Sequence, residues 1–206
     1  NQAEAVTTVT DPPLVVDDLA ILEGDTGTTN AIFTVRLLYP TTNTVTVQCG
    51  AAYGTAGPSD ITIGSGTLTF PPNVTTQTFA VSIRNDVRFE TNETFTVNLS
   101  NPSHAVLGDA QAVGTIRDND MPPTLTVADA SITEGDSGTN QLIFALKLSA
   151  TAGLPVKVRY AISNGTATAG IDYIPQVGEA TFPSDLPGLT RNISVPVRGD
   201  TVAEAN

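Results

Sequence analysis

The chain has 206 residues, room for roughly two domains of ordinary size, and its 21 acidic against 9 basic side chains give a formal net charge of −12. That balance repels nucleic-acid phosphates and anionic lipid headgroups, which need clustered Lys and Arg, so neither is an expected partner. A single cysteine, Cys49, excludes an intrachain disulfide and a Cys-based zinc site, and no apolar run approaches the roughly 18 residues of a membrane span.

Taken in chain order, the first residues, Asn1-Gln2-Ala3-Glu4, lack the basic-then-apolar pattern of a signal peptide. Any export signal or anchor is therefore expected outside this stretch. Ala5-Val6-Thr7-Thr8-Val9-Thr10-Asp11 echoes Ala112-Val113-Gly114-Thr115-Ile116-Arg117-Asp118, and both are soon followed by Pro-Pro. Residues 1 to 11 are thus predicted to be the last strand of a preceding repeat.

A strand, A, is predicted near Leu14 to Leu22, ending in the turn residues Glu23-Gly24-Asp25-Thr26-Gly27. In strand B, Ala31, Phe33, Val35 and Leu37 share one face. Val45-Thr46-Val47-Gln48-Cys49 forms strand C, with Cys49 facing inward as a small hydrophobe. Strands D at Thr67, E at Thr78, F at Thr94 and G at Ala112 follow, with Phe79, Val81 and Ile83 aligned on E and Phe95, Val97 and Leu99 on F. Turn clusters such as Pro71-Pro72-Asn73 and Asn101-Pro102-Ser103 separate them, and no helical period persists for three turns. The fold class is therefore all-β, a sandwich or barrel of antiparallel strands in Greek-key order.

Glu23-Gly24-Asp25-Thr26-Gly27-Thr28 returns as Glu134-Gly135-Asp136-Ser137-Gly138-Thr139, and Gly54-Thr55-Ala56 with Asp60 returns as Gly165-Thr166-Ala167 with Asp172. The expected organisation is a strand over 1–11, a complete repeat over 12–121, and a second repeat over 122–206 that lacks its last two strands.

If each connection reverses direction, the A–B turn, the C–D loop, the E–F loop and the exit of strand G share one pole, the pole facing the next domain. Acids gather there: Glu23, Asp60, Asp86, Glu90, Glu93, Asp118 and Asp120. Calcium takes about six to eight oxygen ligands, which carboxylates from several loops can supply, so a metal site is expected. Two alternatives stand beside it. Arg84, Arg88 and Arg117 could neutralise the acids as an ion-free salt-bridge cluster, and Asp and Asn favour turns in any case.

These motifs in this order, namely the Glu-Gly-Asp turn, the Gly-Thr-Ala loop with its following Asp, the Asp86, Glu90, Glu93 run and the terminal acidic run, resemble the Calx-beta family over nearly the whole chain. The resemblance implies tandem immunoglobulin-like sandwiches whose matching acids hold calcium near the linker. It also carries Glu134, Asp172, Asp200 and Glu204 over as metal ligands of the second repeat. Asn85 and Asn119 stand where such members often have acids, and Gly199 takes the place of the first E–F acid in the second repeat, which implies fewer or weaker ions.

Catalysis is not expected. The sole histidine, His104, sits in a turn, no activated nucleophile is recognisable, and without Trp there is no sugar platform beside the carboxylates. Arg198-Gly199-Asp200 is a tripeptide that adhesion receptors can read, but it coincides with the end of strand E and a metal-site Asp. The leading expectation is a non-enzymatic structural or adhesive segment of a large extracellular or cell-surface protein, with calcium at domain junctions stiffening the array. Its partners would be neighbouring repeats, other copies in a fibre or a cell-surface receptor. A regulatory calcium sensor, as in the cytosolic domains of sodium-calcium exchangers, is one alternative; a strand-exchanging fibre subunit is another.

Overall fold

The computed structural model describes residues 10–184 and 189–202. Most of the expected strand over 1–11, and the expected ligand Glu204, lie outside the described residues. The chain divides into two compact units, the first mainly from residues up to Asn119 and the second mainly from Asp120 onward.

Among the described residues, ten strands build the first unit: β1 (Pro13–Val16), β2 (Leu19–Leu22), β3 (Thr28–Leu37), β4 (Val45–Tyr53), β5 (Ile61–Thr62), β6 (Ser65–Phe70), β7 (Thr76–Arg84), β8 (Glu93–Ser103), β9 (Val106–Leu107) and β10 (Gln111–Arg117). They form two five-stranded sheets, ordered β5-β7-β3-β1-β9 and β2-β10-β8-β4-β6. Period-two alternation gives each sheet one apolar face, and burying those faces against each other produces the core. Ala31, Phe33, Val35 and Leu37 of β3 meet Val45, Val47 and Cys49 of β4 and Phe95, Val97 and Leu99 of β8 in that core. At its centre Phe33 and Phe95 pack edge to face, their ring centroids 5.7 Å apart.

The expected strand A is two strands rather than one. Its halves β1 and β2 belong to opposite sheets, β1 pairing with β3 and β2 running parallel to β10. The chain crosses between sheets at Asp17 and Asp18. The Asp17 carboxylate accepts a hydrogen bond from Arg36 of β3 at 2.7 Å, and the Asp18 carboxylate accepts one from the Val113 amide of β10 at 2.7 Å. Each aspartate thus ties the crossing to a different sheet.

Cys49 is 2% exposed, as its strand position predicts. Burial in this apolar setting pushes its thiol from about 9 up to about 11. A thiol reagent at about pH 8 is expected to leave the folded protein unmodified and to react once denaturant is added, which a mass measurement reads directly. The unfolded thiol ionises first as pH rises, so this group lowers stability across roughly pH 9 to 11 and not below.

The second unit repeats half of this plan with β11 (Leu125–Val127), β12 (Thr139–Leu148), β13 (Val156–Ala161), β14 (Val177–Phe182) and β15 (Thr190–Arg198). The sheet β11-β12-β15 packs against the pair β13-β14 around Leu146, Leu148, Tyr173, Phe182, Ile193 and Val195. A groove of about 1050 Å³ remains open in this unit, lined among others by Leu142, Phe144, Tyr173 and Val195. In the first unit β8 and β10 complete the corresponding sheet. Among the described residues all regular structure is strand and none is helix.

Candidate metal centre

The β2–β3 turn needs glycine at two places: Gly24 has φ of +102° and Gly27 of +74°, where a Cβ would be strained. Backbone and side-chain bonds then hold the turn. The Glu23 amide donates to Arg117 O at 3.0 Å, and the Asn85 amide donates to Gly27 O at 3.1 Å. Thr29 Oγ1 donates to Glu23 O at 3.2 Å. The turn is thereby docked on the ends of β10 and β7. Glu23 is only 6% exposed, a buried acid at the start of this turn.

The loop after β4 brings Asp60 to the same place. Its carboxylate accepts from the Gly57 amide at 2.7 Å, and its carbonyl accepts from the Arg84 amide at 2.7 Å, which fixes the loop to the end of β7. Gly54 passes so close to Thr94 O that a Cβ there would come within 2.4 Å, so only glycine permits this approach to β8. After β7 the chain runs through Asn85, Asp86 and Glu90 to Glu93 at the start of β8.

Carboxylate oxygens of Asp60, Glu90 and Glu93 all lie within 4.8 Å of one another, and all three residues are half-buried. At that separation and an effective dielectric of about 20, two full charges repel by about 3.5 kcal/mol. Three such acids with a donor set made of oxygen alone suit a hard divalent cation. The Asn85 side-chain oxygen adds to this picture, being buried and accepting no hydrogen bond. Its amide nitrogen is engaged, donating to Thr26 O and to Thr29 Oγ1, both at 3.0 Å.

Of the other expected ligands of this pole, Glu23, Asp86, Asp118 and Asp120 lie outside the three-acid group. The Asp118 amide donates to Asn92 Oδ1 at 3.2 Å, so the exit of β10 is tied to the loop that carries Glu90. Asn92, like the inward turn of the Asn85 oxygen, escaped the sequence reading. The resemblance had marked Asn85 only as a missing charge, and nothing in its neighbours Arg84 and Asp86 signals which way its side-chain oxygen turns.

In the second unit the same framework recurs with fewer acids. Asp172 accepts from the Thr168 amide at 2.6 Å, and its carbonyl accepts from the Arg198 amide at 2.8 Å, matching Asp60. The Asp200 carboxylate accepts from the Val202 amide at 2.7 Å. Glu134 and Asp172 both line the open groove. Among the described residues, Glu134, Asp172 and Asp200 are not gathered into a group of three.

The Calx-beta domain family model matches residues 14–120 and again 118–206. The sodium/calcium exchanger Calx of Drosophila melanogaster is 30% identical over 132 residues, which cover 63% of this chain and 14% of that protein. The chain therefore spans far less than two thirds of that relative. The crystal structure of CBD12 from CALX1.2 has a TM-score of 0.48 and 25% identity, covering 90% of this chain and 76% of that one. That of the calcium binding domain CBD12 of CALX1.1 has a TM-score of 0.48 and 24% identity, covering 88% and 74%.

These findings overturn the expected extracellular or cell-surface location, because the relative is a sodium/calcium exchanger and the resemblance ties such domains to its cytosolic side. A tandem run of acidic β-sandwich repeats reports on architecture and solubility and not on compartment. A buried, unpaired Cys49 is equally at home where thiols stay reduced. Adhesion, a fibre of further copies and a surface receptor find no support in these similarities.

Proposed function

This chain belongs to the Calx-beta domain family, and on that premise we propose that it is a non-catalytic, regulatory calcium-binding pair of domains, spanning 12–121 and 122–206. Calcium is the cofactor of such domains. The observation that carries the proposal is the meeting of carboxylate oxygens of Asp60, Glu90 and Glu93 within 4.8 Å of one another.

These three acids would hold the ion, with the Asn85 side-chain oxygen and the Glu23, Asp86, Asp118 and Asp120 carboxylates as further ligands or supports. Bound calcium supplies positive charge that offsets their mutual repulsion. The chain's own contribution is to hold oxygen atoms on loops fixed at the ends of β7, β8 and β10. An ion that binds such a pole more tightly in one conformation than in another shifts the balance between them, which is what a regulatory domain requires. Glu134, Asp172 and Asp200 form a poorer second site in the same reading.

Isothermal titration of the protein with calcium tests the proposal. The wild type is expected to give a saturable heat, and the Asp60→Asn plus Glu93→Gln variant to bind at least about tenfold more weakly, since each lost charge-assisted contact is worth roughly 1.5–3 kcal/mol. Equal isotherms for the two proteins, or no heat from the wild type, would overturn it. An acid cluster neutralised by arginines alone gives the second result.

A further inference from the structure

We propose that Asn119 and Asn85 are positioning residues that hold the Glu23–Thr29 turn in its binding shape before any ion arrives. The inference draws on the calcium reading for its consequence; its geometry stands without it.

Asn119 follows β10 and reaches back to the turn with both ends of its side chain. Its Oδ1 accepts from the Gly24 amide at 2.8 Å, and its Nδ2 donates to Asp25 Oδ1 at 2.7 Å. The orientation is fixed by chemistry. A flipped amide would set an N–H against the Gly24 N–H and a carbonyl oxygen against the Asp25 carboxylate, two repulsive contacts in place of two bonds. Asn85 does the same from the other side, since the Thr26 carbonyl can only accept and so selects Nδ2. Two asparagine side chains thus clasp one turn.

The second unit reaches the same end with a different asparagine. Gly199 stands at the position of Asn85, and a Cβ there would come within 2.5 Å of Gly135 O, so no side chain fits. Asn140, at the position of Thr29, takes over: its Nδ2 donates to Thr133 O at 3.0 Å and to Glu134 O at 2.7 Å. The backbone bond from Gly199 N to Gly138 O, at 3.1 Å, repeats the one from Asn85 N to Gly27 O. Each turn therefore keeps an asparagine clasp, although the acids around it differ. A neutral amide serves here where an acid could not, because a carboxylate at residue 119 would face Asp25 directly.

Hydrogen exchange of the turn amides, read residue by residue in chelator and in calcium, tests this. In the wild type the amides of residues 23 to 29 are expected to be similarly protected in both. Asn119→Asp places a carboxylate against Asp25, and its turn amides are expected to exchange about tenfold faster in chelator, with protection restored by calcium. The double variant Asn119→Asp plus Asp25→Asn reverses the polarity of the pair, because the amide introduced at position 25 can donate to the new carboxylate. It is expected to recover wild-type protection in chelator. Asn85→Ala should loosen the same amides in both conditions.

Asn119→Asp with unaltered exchange in chelator would sink the proposal, as would a double variant no better protected than the single one. Tighter calcium binding by Asn119→Asp without any loss of protection would make Asn119 a mere gap in the ligand set, which also refutes it. A wild type that fails to bind calcium refutes the regulatory reading alone, since the chelator arm still reads the clasp.

Discussion

Truncating Phe95 to alanine is expected to destabilise the first unit by about 3–5 kcal/mol, the range for removing a fully buried aromatic ring. Phe95 is 0% exposed and sits edge-on to Phe33. It also rests on Gly114 of β10: a Cβ at residue 114 would come within 2.3 Å of its ring. The ring therefore joins the two sheets and occupies the space a missing side chain leaves, so the cavity cannot be refilled by a small local shift. Urea denaturation followed by circular dichroism, with the first-unit transition resolved, measures the loss. A cost below about 1 kcal/mol would mean that β8 and β10 collapse around the gap and that the core is looser than the packing indicates.

The second large effect changes sign with the solvent. In the wild type, calcium at about a hundred times its dissociation constant is expected to add roughly 2.7 kcal/mol to stability. In chelator the three carboxylates of Asp60, Glu90 and Glu93 oppose one another. Glu93→Gln removes two of the three repulsive pairs and is expected to stabilise the ion-free protein by about 1–3 kcal/mol after screening. The same substitution removes a ligand and most of the gain from calcium. Paired thermal melts should therefore cross, with the variant melting higher in chelator and lower in saturating calcium. A variant that melts lower in both would show that Glu93 is held by a permanent counter-charge, in which case no ion is needed there.

The strand faces were legible because the core is one-sided. Ala31, Phe33, Val35 and Leu37 alternate with polar residues, and the structure buries all four. The division of strand A was written in the sequence and missed. Leu14 and Val16 are even-numbered, Leu19 and Ile21 odd-numbered, and that slip of one residue at Asp17-Asp18 flips the apolar face as the chain changes sheet. Counting reversals of the chain pointed to the loops that carry Asp60, Glu90 and Glu93, three acids that do meet. Which acids actually meet did not, because that depends on loop contacts such as Gly57 N with Asp60 and Asp118 N with Asn92, between residues far apart in the sequence or set by local turn geometry. The same limit hid the asparagine clasp. An amide opposite an acid reads as a missing charge until its two hydrogen bonds are seen.

The crossing of β1 into β2 bears on how the first unit carries mechanical load. The chain enters through β1 and β2 and leaves through β10, and β2 lies parallel to β10 from the pair Leu19 and Gly114 to the pair Leu22 and Arg117. Tension applied at Pro13 and Arg117 drags those two strands in opposite directions along a common axis. Their hydrogen bonds are then strained together in shear, and cannot be peeled open one at a time as at the free end of a hairpin. The Asp18 bond to Val113 N and the Glu23 N bond to Arg117 O extend the clamp at either end. A pull transmitted along the backbone would meet its main resistance there, beside the turn from Glu23 to Thr29.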